Sequence, residues 1–141
     1  MRAILTRVSS ASVTIDGEVV GKIGKGFLVL LGVGPNDTEK ECRYLAEKAL
    51  GLRIFEDENG KTNLNISQIG GEVLLVSQFT LFADTSHGNR PSFINAGAPD
   101  MASDLYEYVA KGLEDAGLIV KKGVFGADMK ITQENDGPFT I

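Results

Sequence analysis

Seven consecutive residues, Phe27 to Val33 (FLVLLGV), carry no polar side chain. A strand points alternate side chains to opposite faces, so a run that is apolar throughout needs cover on both. The spacing predicts a central strand buried from two sides. The preceding quarter of the chain reads as its lead-in. Arg2 to Val8 (RAILTRV) and Ala11 to Ile15 (ASVTI) have strand character. Asp16-Gly17 is a type I′ hairpin signal. Glu18 to Ile23 returns, and Gly24-Lys25-Gly26 turns again. An antiparallel meander therefore feeds the buried strand.

Pro35-Asn36-Asp37 breaks the pattern, and Thr38 with Glu41 three residues on forms a capping box. Cys42, Leu45, Ala46 and Ala49 then recur at helical spacing, with Gly51 at the expected C′ position. Cys42 sits where its alanine neighbours sit and has no base nearby in sequence, so it reads as a small core residue rather than a nucleophile. Leu52 to Phe55 is a short strand. Glu56 to Lys61 is an acidic turn whose spacing fits no calcium loop, and Asn63 to Ile69 is irregular. A second helix starts at Pro99-Asp100 with Asp100 as N-cap, carries Ala102, Leu105, Val109, Leu113 and Ala116 as its apolar stripe, and stops at Gly117. Strands at 118–125 and Asp128 to Thr132 precede the tail. Strands and helices that do not alternate strictly predict one mixed α+β domain over residues 1–141. Its antiparallel strands form two packed sheets or a small barrel, with two long helices against them.

The chemistry concentrates in Val73 to Asp84 (VLLVSQFTLFAD). It begins as a buried strand, yet Ser77, Gln78 and Thr80 follow where only carbon is expected. Buried polar groups cost free energy unless hydrogen-bonded. Read as a strand, the stretch places Gln78 and Thr80 on one face with Phe82, and Ser77, Phe79 and Leu81 on the other. The pair can aim at one small polar ligand, or bond a neighbouring turn; the residues alone leave both readings open. The same holds for Gly137-Pro138 in the tail NDGPFTI. Glycine permits close backbone approach, and X-Pro is the linkage with an appreciable cis population. His87 and Arg90 lie in the long loop after Asp84. His87 reads as a solvated loop residue. Arg90 either meets a phosphate or pins the loop to a carboxylate. Arg7 faces outward on the first strand, as a surface ion-pair partner.

Composition removes several classes. One cysteine forbids an internal disulfide and fits a reducing compartment; one cysteine with one histidine leaves no structural zinc site. The N-terminus has no apolar h-region, and no apolar run approaches the ~20 residues of a membrane span. A cytoplasmic protein is expected. Fourteen basic against nineteen acidic residues, a net charge of -5, argue against a sequence-independent nucleic-acid binder but not against a protein touching one RNA end.

From end to end the chain resembles the D-aminoacyl-tRNA deacylases. SQFTL (Ser77 to Leu81) and NDGP followed by FT (Asn135 to Thr140) carry the resemblance. ASVTIDGEVVG, LRIFEDENGK, GNRPSF and GVFGADMK support it. The departure is a tail a few residues shorter than the family's last strand. The resemblance implies hydrolysis of the ester of D-aminoacyl-tRNA, and of mischarged glycyl-tRNA, without cofactor or metal, by a homodimer. It implies a cis Gly137-Pro138 that enters the other subunit's site, where its carbonyls meet the substrate α-amino group and an L side chain is excluded. It implies that Arg7 bonds across the dimer to hold that loop.

Ser77, Gln78, Phe79 and Thr80 are then the catalytic stretch, and Phe125 and Met129 are candidate walls for the terminal adenine or, equally, core residues. Thr80 is either a nucleophile, which needs a base the motif does not offer, or a positioning group beside an oxyanion hole of backbone amides, with the ribose 2′-OH activating water. The second is favoured. Arg7, Lys25, Arg53 and Arg90 are expected to gather near the pocket mouth for tRNA. A non-catalytic RNA-end or nucleotide-binding module and a small-molecule esterase are the alternatives.

Overall fold

The computed structural model describes residues 1–141. Its elements are β1 (Arg2–Ile15), β2 (Glu18–Ile23), β3 (Gly26–Gly32), α1 (Glu39–Gly51), β4 (Phe55–Glu56), β5 (Thr62–Leu64), β6 (Glu72–Ser77), a 3₁₀ turn (Phe79–Phe82), α2 (Pro99–Asp115), β7 (Ile119–Lys122) and β8 (Lys130–Thr140). The apolar run is β3, inside a six-stranded sheet ordered β2-β1-β3-β6-β7, with β8 paired to β1. Its alternate side chains divide the core. Phe27, Val29 and Leu31, with Val73 and Leu75 of β6, pack against Cys42, Ala46, Leu105, Val109 and Leu113 of the helices. Leu28, Leu74 and Val76 point the other way, onto Val8, Ala11, Val13 and Ile23. Phe27 is wholly buried; truncating it to alanine is expected to cost about 3–5 kcal/mol.

The two ends of the sheet curl towards each other: a Cβ added to Gly21 of β2 would lie 2.9 Å from the Lys122 carbonyl oxygen of β7. The mixed α+β fold, two helices against a barrel-like sheet, matches the expectation. The meander is antiparallel as expected, with Asp16 (φ 50°) and Gly17 (φ 85°) at its first turn. Parallel pairing is an addition: β3 pairs β6 and β6 pairs β7 in parallel. Each connection carries a helix back across the sheet, so the next strand starts from the same end.

Several boundaries differ from the sequence reading. Arg2–Ile15 is one long strand, because β1 pairs β3 with its first half and β2 and β8 with its second. Gly51 is the last helical residue and Leu52 the cap. Ala98, not Asp100, precedes α2: Pro99 takes the first helical position, where its missing N–H costs nothing, and holds Ala98 extended (ψ 140°). Ala116 lies beyond the helix and is exposed. The 118–125 strand shortens to β7, and the 52–55 strand is replaced by Phe55–Glu56, paired with Thr62–Leu64, which enters the stretch from Asn63 read as irregular. The acidic turn joins those two. Asp57 there accepts the N–H groups of Asn59 (2.9 Å) and Lys61 (3.1 Å), which hold its carboxyl below the usual carboxylate range. The final strand runs through the tail to Thr140.

Candidate active site

Strand β6 ends one residue before its polar pair. The Gln78 N–H makes the last bond to β3, at the Leu31 carbonyl (2.8 Å). Gln78 then leaves the strand (φ -145°, ψ 82°) and the chain winds into the 3₁₀ turn, closed by Leu81 N–H to Gln78 O (3.3 Å) and Ala83 N–H to Thr80 O (3.0 Å). Strand alternation therefore stops at Ser77, and the face assignment of Gln78, Thr80 and Phe82 does not apply. What joins Gln78 and Thr80 is the tightness of the turn: the Gln78 side-chain amide donates to Thr80 Oγ. An amide donor cannot take a proton, so Gln78 is no base for Thr80; it leaves the Thr80 O–H free to donate. The N–H groups of Phe79 and Thr80 open the turn and have no acceptor within it, and no side chain caps it.

Ser77, Gln78 and Phe79 floor one end of a cleft of about 550 Å³, within the ~300–1,000 Å³ typical of small-molecule sites; Thr80 is exposed and does not line it. Ser77, Gln78 and Phe79 meet Ala96 and Gly97 of the long loop, Ala102 and Tyr106 of α2, and Phe125 and Met129 before β8. Phe125 and Met129, expected as adenine walls or core, are half-buried and line it. Tyr106, missed in the sequence, forms the back. Its hydroxyl donates to the Leu75 carbonyl (2.7 Å), its ring meets Phe125 edge-on at 6.1 Å, and burial raises its pKa. The signal was available, since Ala102, Tyr106, Val109 and Leu113 share one helical stripe.

Gly137, Pro138 and Arg7 do not line this cleft. Opposite Val8 stands Asn135 and opposite Thr6 stands Thr140, so Asp136 to Phe139 bulge out across from Arg7 alone. Proline, which gives no ladder bond, is tolerated at such a bulge. The Gly137-Pro138 bond is cis, Gly137 has φ 122°, and both residues are exposed. Arg7 is 5% exposed rather than outward-facing. Its Nε donates to the Asp136 carbonyl (3.0 Å) and its Nη1 to the Ile54 carbonyl (2.6 Å), while the guanidinium lies 4.9 Å from the Phe139 ring centroid. These bonds hold the bulge within the same chain.

The remaining candidates resolve simply. Cys42 is buried, its Sγ turned to the Leu105 carbonyl (3.5 Å), and burial pushes its thiol up to about 11; it is a core residue. His87 is exposed and paired with Ser86 (2.8 Å). The four cations do not gather at the mouth. Arg7 is buried, Arg53 bonds Asn63, Lys25 sits over Phe55, and Arg90 is in the loop whose Ala96 and Gly97 form the rim.

A family described as D-Tyr-tRNA(Tyr) deacylase matches residues 4–141. A D-aminoacyl-tRNA deacylase of Roseiflexus castenholzii is 55% identical over 141 residues, covering 100% of this chain and 90% of its own. One from Limosilactobacillus reuteri is 52% identical, covering 100% and 97%. Among solved structures, one described as a c-Myc DNA unwinding element binding protein aligns with a TM-score of 0.95 at 41% identity, covering 100% of this chain and 96% of that one. Another, a probable eukaryotic D-amino acid tRNA deacylase, aligns at 0.85 with 18% identity over 99% and 96%, a likeness of fold.

Proposed function

The chain belongs to the D-Tyr-tRNA(Tyr) deacylase family, and we propose that it hydrolyses the ester of D-aminoacyl-tRNA in the cytoplasm, with glycyl-tRNA as a second substrate. The observation that carries the reading is the 3₁₀ turn at Phe79–Phe82, which no side chain caps and whose first residue, Phe79, lines the floor of an apolar cleft. The terminal adenosine enters the cleft against Phe125 and Met129. Water attacks the ester carbonyl carbon, and the oxyanion takes hydrogen bonds from the Phe79 and Thr80 amides. Such donors contribute about 3–4 kcal/mol each. The C–O3′ bond then breaks, the 3′-oxygen takes the proton, and free amino acid and tRNA leave. Gln78 orients the Thr80 hydroxyl towards the ester or the water. The ribose 2′-OH helps activate that water. Thr80 positions and does not attack.

Handedness is set by backbone. In this reading Gly137-Pro138 of one subunit enters the cleft mouth of its partner in a homodimer. Its carbonyls accept the α-amino group, so an L side chain would collide with backbone while D side chains and glycine pass. The exposed bulge and its buried Arg7 strut support this, since they present Gly137 outward on a fixed base. Release of labelled D-tyrosine from D-Tyr-tRNA tests the activity. Binding without release would mean an RNA-end module, and equal turnover of a free D-amino-acid ester would mean a small-molecule esterase.

A further inference from the structure

The loop from Asp84 to Ser92 is fastened to the site at both ends, yet lines none of the cleft. Two backbone bonds, Asp84 N–H to Ser92 O and Ser92 N–H to Asp84 O, both 2.8 Å, close its base. Beyond the base, Phe93 packs edge-on against Phe79 (5.0 Å, 74°), and Gly97 donates to the Val33 carbonyl (2.8 Å) at the rim. Arg90 lies two residues from the bridge, so its Cα is within about 7 Å of that of Ser92. Pro91 after it disfavours the helical region at Arg90 and keeps the loop arm extended.

Arg90 differs from every other arginine in the chain. Arg2 donates to the Leu81 carbonyl, Arg7 to Asp136 and Ile54, Arg43 to Tyr108 and Glu39, and Arg53 to Asn63. Arg90 is exposed and enters none of the ion pairs or side-chain hydrogen bonds. The loop's own carboxylate, Asp84, accepts the Ser86 N–H at 2.9 Å and makes no ion pair with Arg90. The carboxylate-pinning role is therefore not used. A guanidinium left free on the loop that leads to Phe93, itself packed on the cleft residue Phe79, in a chain with net charge -5, suits the planar, bidentate geometry of a phosphate.

We propose that Arg90 binds the backbone phosphate immediately 5′ of the terminal adenosine and so steers the single-stranded acceptor end over the Phe79 side of the cleft. This rests on the deacylase reading of the site. Binding would then depend on the charge at position 90, not on its role in any protein contact.

The test measures KM and kcat for D-Tyr-tRNA and for 3′-O-D-tyrosyl-adenosine, which lacks that phosphate, across salt, with wild type, Arg90→Ala and Arg90→Lys. Loss of one single-strand phosphate contact removes about 0.7 from the slope of log affinity against log salt. Between 50 and 200 mM salt, wild type should thus lose about threefold more affinity for D-Tyr-tRNA than Arg90→Ala. Arg90→Ala should raise KM for the tRNA more than for the nucleoside ester, and Arg90→Lys should restore the slope. An Arg90→Ala slope equal to wild type, with the wild type turning over normally, overturns this inference alone. A wild type that releases amino acid from neither substrate overturns the deacylase reading and this inference with it.

Discussion

Arg7 Nε lies 3.0 Å from the Asp136 carbonyl oxygen and 3.1 Å from Asp136 Oδ2, with the guanidinium sealed inside the protein. A buried cation is thus committed to the backbone just before Gly137-Pro138. Its other end holds the Ile54 carbonyl after α1. Removing it leaves two carbonyls short of a donor, so Arg7→Ala should destabilise by about 2–4 kcal/mol. Lysine cannot reproduce the fork, and Arg7→Lys should recover only part. Urea unfolding of the three proteins checks this; equal midpoints would show that the strut carries no load.

Gly137 depends on the same strut. A Cβ there would meet Arg7 Nη2 at 3.0 Å, at a φ of 122° that side chains rarely adopt. Gly137→Ala should therefore lower D-aminoacyl-tRNA hydrolysis at least tenfold, about 1.4 kcal/mol of barrier, while costing less stability than Arg7→Ala. Steady-state kinetics beside thermal melts separates the two effects.

Thr80→Ala should keep substantial activity. The hydroxyl contributes a hydrogen bond worth about 0.5–1.5 kcal/mol, so a loss of about tenfold or less is expected. Near-complete loss with the fold intact would identify Thr80 as the nucleophile. A 2′-deoxy terminal adenosine should be cleaved more slowly; full-rate cleavage would remove the ribose from the mechanism.

Two glycines should respond oppositely to alanine. At Gly26 a Cβ would lie 1.8 Å from the Glu72 carbonyl oxygen, a backbone atom that cannot move without parting β3 from β6. Gly26→Ala should cost about 4 kcal/mol or more. Gly51 sits in the last turn of α1 with nothing within 4 Å of such a Cβ. Gly51→Ala should stabilise by about 0.5–1 kcal/mol. Chemical denaturation of both reads the sign.

Tyr106 gives stability an alkaline limit. Burial raises its hydroxyl above the ordinary 10.0, so the folded state keeps the proton after the unfolded chain has begun to lose it. This stabilising contribution is complete below about pH 10 and falls as pH rises from there towards the folded value. Tyr106→Phe should cost about 1 kcal/mol at neutral pH, because the Leu75 carbonyl keeps its bond from Gly123 N–H (3.0 Å). Its stability should then fall less steeply than wild type above pH 10. Parallel curves would contradict the assignment.

Local signals were legible in the sequence. The Thr38–Glu41 capping box, the Asp16-Gly17 turn and the doubly covered β3 each rest on neighbouring residues and stand as read. Contacts distant along the chain were not. The burial of Arg7 depends on Ile54 and Asp136, 47 and 129 residues away. At the site, polarity drew attention to Ser77–Thr80, of which Ser77, Gln78 and Phe79 line the cleft, but period-2 logic ran one residue too far, because the last bond to β3 comes at Gln78 and the freed chain winds into a 3₁₀ turn. Parallel pairing of β3, β6 and β7 was hidden for a similar reason: apolar runs announce burial without announcing direction.

The central claim is that backbone at Gly137-Pro138 selects handedness while the turn at Phe79–Phe82 supplies hydrolysis. It is tested most directly by deacylation rates on D-Tyr-tRNA and L-Tyr-tRNA prepared from the same tRNA. The D ester should be consumed and the L ester left intact at enzyme concentrations that exhaust the D form. Equal rates on the two enantiomers would contradict the account.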